Sequence, residues 1–181
     1  TASTSTTPAG SERIHATITV AMSTAAIPPG FRPVAIGGEF LNTAGPLFGR
    51  WDGKHVRLGF RVEERHLNPA RFCAGGMLCT FADMQMAAVI HYQCPEIAGH
   101  RFPTINLTTD FAAPVPPGAW LEGTSEVIRA TKTLVFMHGS AAVEGATALR
   151  FNGVFKIGPK RDYPNPRDPY DLLPASHPAR K

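Results

Sequence analysis

Cysteine is too scarce in this chain for a disulfide scaffold. Cys73, Cys79 and Cys94 are an odd three in 181 residues, and no Cys-x-x-Cys or Cys/His pair has zinc-finger spacing. Reduced thiols and a cytoplasmic location are the expectation, with no metal. No apolar run approaches the ~18 residues needed to cross a bilayer. The stretch RIHATITVAMSTAA (13–26) is too polar and too short for an export signal. Compact basic runs are missing too, so nucleic acid is not an expected partner, although a net charge of +4 favours an anionic one. There is no G-x-S-x-G elbow, no H-E-x-x-H pair and no Gly-rich phosphate loop. These absences argue against serine-elbow, zinc-peptidase and phosphate-loop chemistry.

What is present suits one soluble domain: 43% hydrophobic and 18% charged residues in a length that supports a single sizeable core. Residues 1–30, rich in Ser, Thr, Ala and Pro, read as a flexible arm, and residues 159–181 as a Pro-rich irregular tail. In that tail Tyr163, Tyr170, Leu172 and Leu173 are candidates to pack on the domain or on a neighbouring subunit. The domain itself, 31–158, opens with two strands around Asp52-Gly53, where Val56, Leu58, Phe60 and Val62 alternate with Arg57, Gly59, Arg61 and Glu63. A helix over 76–91 follows, apolar on every face and therefore wrapped by protein. Four strand-like segments complete the domain, at 103–114, 119–130, 131–144 and 146–157. A sheet of about six antiparallel strands in this order buries one face by curling round the helix, an α+β arrangement known as the hotdog fold.

One residue in FCAGGMLCTFADMQMAAVIHYQC (72–94) needs a reason. Asp83 sits in an apolar helix, where an ionised carboxylate costs several kcal/mol unless it is paired or kept neutral. The surrounding segment HLNPARFCAGGMLCTFADMQ resembles the hotdog acyl-CoA thioesterases, in particular the phenylacetate-pathway (PaaI-type) branch. Asn68, the glycine pair Gly75-Gly76 and Asp83 match that branch by type and spacing. The resemblance runs on through PTINLTTDFAAPVPPG (103–118) and VIRATKTLVF (127–136), and covers roughly Phe40 to Ile157. Two positions depart from it. The histidine before the glycine pair is Ala74, and the glycine usual three residues after the Asn is Arg71.

The resemblance implies thioester hydrolysis, with Asp83 as general base or nucleophile and Thr104 orienting the attacking water. Free amides at a helix start suit a developing oxyanion, so the Gly76 N–H takes that role with Asn68 as a side-chain donor beside it. Gly75 lets a substrate carbonyl approach because it has no Cβ. Arg129, Lys132 and Arg150 are candidates for the phosphates of coenzyme A, which is part of the substrate; no separate cofactor is expected. His66 and His91 receive no catalytic role. Gly75 and Asp83 are eight residues apart, roughly 12 Å along one helix axis, so a single thioester carbon cannot touch both. If both act, the acid comes from a second subunit in a twofold dimer with two shared sites, itself expected to assemble as a dimer of dimers. The alternative, prompted by Ala74, is a non-catalytic protein on the same fold that binds acyl-CoA or an aromatic ligand.

Overall fold

The computed structural model describes residues 26–36 and 38–180, so most of the arm expected at 1–30 lies outside the described residues. The expected hairpin is present as β2 (Leu47–Trp51) and β3 (Val56–Arg61). Its turn is closed by the Asp52 carboxylate, which accepts from the amides of Lys54 (3.0 Å) and His55 (2.7 Å) and from Arg57 Nε (2.6 Å). Two elements before it escaped the sequence reading: β1 (Arg32–Val34) and α1 (Gly38–Ala44). A three-residue strand and a seven-residue helix are too short to carry a period.

After α2 (Gly75–Gln93) come β4 (Thr104–Phe111), β5 (Trp120–Ala130), β6 (Leu134–Val143) and β7 (Ala146–Lys156). The strands form one antiparallel sheet of seven, in the order β1-β2-β3-β5-β6-β7-β4. The sheet curls round α2, which buries Met77, Leu78, Phe81, Met86, Val89 and Ile90 against it. Gly123 on β5 and Gly153 on β7 permit that approach. A Cβ at the first would lie 2.7 Å from the Phe81 ring, and at the second 2.7 Å from Met86 Cε.

The sheet is not continuous in the middle. β3 and β5 pair only over Gly59–Arg61, and beyond that point two glutamines of α2 fill the gap. Fully buried Gln85 accepts from the Leu58 amide (2.7 Å) and donates to the Val56 carbonyl (3.2 Å), as a neighbouring strand would. One helical stretch further on, Gln93 accepts from the Val127 amide (2.8 Å) and donates to the Ser125 carbonyl (3.4 Å). Buried backbone groups left without partners cost about 1–3 kcal/mol each. Gln85→Leu, which keeps the volume and strips these bonds together with that to Ser125 Oγ (3.4 Å), is therefore expected to destabilise the fold by about 2–4 kcal/mol. The change is read as a lower urea midpoint at unchanged m-value.

The C-terminal residues are irregular but anchored. Leu172 and Leu173 are buried, and the buried Asp168 carboxylate accepts from Tyr92 Oη (2.9 Å) and the Leu172 amide (2.7 Å) while pairing with Arg180 Nε (3.1 Å). Tyr163 and Tyr170 pack edge-on against His91 near the end of α2. Among the described residues no helix is long and apolar enough to cross a membrane.

Candidate active site

The loop from His66 to Ala74 delivers the chain to the start of α2, and backbone bonds hold it on three sides. The Asn68 and Phe72 backbones bond across it (2.8 Å), the Cys73 amide donates to Val115 O (2.8 Å), and the Ala74 amide to His66 O (2.7 Å). Asn68 also uses its Oδ1 to accept from the Phe72 amide (3.2 Å), which leaves its side-chain amide hydrogens without a partner among the described residues. Arg71, in place of the glycine expected by resemblance, adopts φ 67°, the left-handed region that favours glycine. Its guanidinium pairs with exposed Glu64. Because an exposed ion pair contributes little and the left-handed backbone costs an L-residue about 1–2 kcal/mol, Arg71→Gly is expected to hold or raise the melting temperature. Arg71→Val, β-branched at the same angle, is expected to lower it.

His66 holds the loop against α1. Its Nδ1 accepts from the Glu63 amide (2.9 Å), so the proton sits on Nε2 and donates to the Ala44 carbonyl (2.9 Å). Burial, first, holds its pKa below the ordinary histidine value. The ring is a strut between the loop and α1.

α2 then begins with Ala74 as its N-cap, without a side-chain cap and without an acidic residue in the first turn. The Gly75 and Gly76 amides have no protein acceptor among the described residues. Gly76 faces a cleft of about 970 Å³ whose walls include Phe40 and Ala44 of α1, His66, Met77 and Thr80. A Cβ at Gly76 would meet nothing within 4 Å, so the space beside this residue is open. Free N–H groups at the positive end of a 19-residue helix are suited to a carbonyl oxygen that gains negative charge.

Asp83 is half-buried, two turns further along α2, and accepts a 2.6 Å hydrogen bond from Thr104 Oγ1 at the start of β4. Burial pushes its pKa above the ordinary carboxylate value, against the Thr104 hydrogen bond, which lowers it. Its other carboxylate oxygen has no protein partner among the described residues. The structure thus brings together two groups of expected site residues, Asn68 with Gly75 and Gly76 at the helix start and Asp83 with Thr104 along its side, and keeps the groups apart within one protomer.

β4 runs between them. Thr104 bonds Asp83, Thr109 Oγ1 is 3.5 Å from Cys79 Sγ, and the Phe111 ring lies over Gly75, where a Cβ would come within 3.3 Å of it. β4 therefore travels antiparallel to α2 from the acid to the free amides. It is the last strand of the sheet, with one edge unpaired within the described chain, and its Ile105 and Phe111 are 60% and 53% exposed.

The three candidate phosphate ligands do not converge. Arg129 and Lys132 are exposed at the β5–β6 turn, whereas Arg150 is opposite Ser140 on β6. That is five residues along from the Val135–Ala130 pair at the turn, or roughly 17 Å. Arg150 instead borders a shallow depression with Glu126 and His138. Of the thiols, Cys73 is buried and its pKa is pushed up to about 11 by that burial, which removes it as a nucleophile near neutral pH.

Residues 71–145, from the loop through the β6–β7 turn, match the family model of the Thioesterase superfamily. The fold is that of the hotdog thioesterases. The crystal structure of the PaaI protein from the phenylacetic acid degradation operon of Escherichia coli superposes on this hotdog with a TM-score of 0.55. It is 23% identical, over 63% of this chain and 81% of that one. A hypothetical thioesterase of Streptococcus pneumoniae, crystallised with coenzyme A, gives 0.56 at 16% identity, over 73% and 98%. In sequence, an esterase-named protein of Pseudomonas aeruginosa is 27% identical over 132 residues, 72% of this chain and 97% of its own length.

Proposed function

We propose that this protein is an acyl-CoA thioesterase of the PaaI type, in which each active site is shared by two subunits. The observation that carries the reading is the course of β4: its Thr104 end is at the acid, its Phe111 end at the free helix amides, and its outer edge is open. Antiparallel pairing of β4 with its copy about a twofold axis exchanges the strand's two ends. It moves the partner's acid toward this protomer's Gly76 amide and covers Ile105 and Phe111.

In that arrangement the thioester carbonyl oxygen accepts from the Gly76 N–H and the Asn68 side-chain amide. Asp83 of the other subunit, ionised and held by Thr104, takes the proton of an attacking water, or attacks the carbonyl carbon itself. The tetrahedral intermediate collapses with expulsion of the thiolate of coenzyme A, giving the free acid directly when water attacks, or a mixed anhydride on Asp83 that a water then cleaves when the carboxylate attacks. Burial raises the pKa of Asp83, which makes its carboxylate a stronger base toward the attacking water.

The family model and the CoA-bound neighbour support the substrate class. A panel of aromatic and short- to medium-chain acyl-CoAs with a thiol-trapping dye tests it. Release of thiol above blank from members of the panel is expected. Thermal stabilisation by acyl-CoA with no release across the panel would instead support the binding-protein reading that Ala74 suggests.

A further inference from the structure

The residues that follow the sheet build a second cleft, about 630 Å³, at the opposite end of α2 from Gly76. Lys160, Arg161, Arg167 and Arg180 line it with a single acid, Glu96. Arg180 is already paired with Asp168 and Asp171. Lys160, Arg161 and Arg167 have no carboxylate within ion-pair distance among the described residues. The Arg161 guanidinium is steadied over the Tyr163 ring at 5.2 Å. The cleft therefore gathers three cations without a carboxylate partner, and one acid, on walls that include Pro95, Pro164 and Pro166.

Between this cleft and the candidate active site lies a third hollow that shares lining residues with both. The cleft over Gly76 shares Asn42 and Arg65 with a middle depression of about 440 Å³, and that depression shares Arg161 with the basic cleft. The three hollows thus follow one another past α1 and Pro46, on a molecule whose central 19-residue helix is roughly 28 Å long. Its acyl end is apolar and its far end cationic. An elongated molecule with an acyl thioester at one end and several phosphates at the other matches both ends at once.

We infer that the phosphorylated nucleotide of the thioester substrate binds in the cleft of Lys160, Arg161 and Arg167 on the same protomer as the Gly76 amide, and not at the β5–β6 turn. The inference rests on the thioesterase reading for the identity of the ligand. The chain after Ile157 then has a direct role in substrate binding, since it supplies all three cations.

The test compares the wild type, Lys160→Gln/Arg161→Gln and Arg129→Gln/Lys132→Gln by calorimetry with coenzyme A and with adenosine 3′,5′-bisphosphate. Turnover of an acyl-CoA and of the matching acyl-pantetheine, which lacks the nucleotide, is measured alongside. The Lys160/Arg161 pair is expected to weaken both nucleotide probes and raise KM for the acyl-CoA about tenfold or more, with KM for acyl-pantetheine unchanged. Retained nucleotide affinity in that variant, or weakening only in the Arg129/Lys132 variant, overturns the inference. Calorimetry with the bisphosphate reads the cleft without turnover, so a protein that hydrolyses nothing contradicts the thioesterase reading and leaves this result interpretable. Hydrolysis with an unmoved KM overturns the cleft alone.

Discussion

Asp83→Asn is expected to lower kcat for acyl-CoA hydrolysis by about 10³-fold or more, the upper part of the range for loss of a positioned base. Asn keeps the shape of the side chain and still accepts from Thr104 Oγ1, so the effect is chemical and not a collapse of the site. Stability should move the other way. Asp83 has a folded-state pKa above its unfolded value, so the folded protein retains the proton longer and its stability falls as pH rises from 3.8 through the folded pKa. At neutral pH the neutral Asn escapes that penalty, and the variant is expected to melt no lower than the wild type. The same linkage shapes activity: the acid limb of the wild-type kcat profile should lie above the ordinary carboxylate range. A variant that retains full turnover removes Asp83 from the mechanism.

Gly76→Pro is the second large effect. Proline in the first turn of a helix breaks no intrahelical bond, and at this position a side chain meets open space. What it removes is the unpartnered N–H of a residue that lines the cleft. Loss of one oxyanion donor costs about 10²–10³ in kcat, and that is the drop expected here. Gly76→Ala keeps the amide and gains helix propensity, so it should retain far more turnover than the proline variant and melt slightly higher. Equal losses in the two variants would mean that the site rejects bulk at Gly76 and that the amide is not a donor.

Long periodic elements were legible in the sequence: the β2–β3 alternation around Asp52-Gly53, the all-round apolar α2 and the four strands after it. At the candidate site, the glycine pair was legible as the start of α2. Other features had no one-dimensional signal. Gln85, and not Asp83, is the fully buried polar side chain of α2, and its reason is the gap between β3 and β5, which only tertiary structure reveals. Arg71 reads as a departure until its φ of 67° explains why a glycine is expected there. Arg150 reads in the sequence as a phosphate candidate alongside Arg129 and Lys132, and its pairing with Ser140 places it apart from them. The cations beyond the sheet lie among prolines without period, so their convergence with the α2 C-terminal loop was invisible before the chain was folded.

Mixing the two inactive proteins tests the central claim most directly. Asp83→Asn and Gly76→Pro each disable both sites of their own dimer. In a mixed dimer, a site shared between subunits pairs an intact acid with an intact amide once in every two sites. Co-refolded or co-expressed at equal amounts, the variants are predicted to recover about one quarter of wild-type turnover from random pairing. A mixture no more active than its separate components, with mixed dimers demonstrably formed, would contradict a site built from the acid of one subunit and the helix amide of the other.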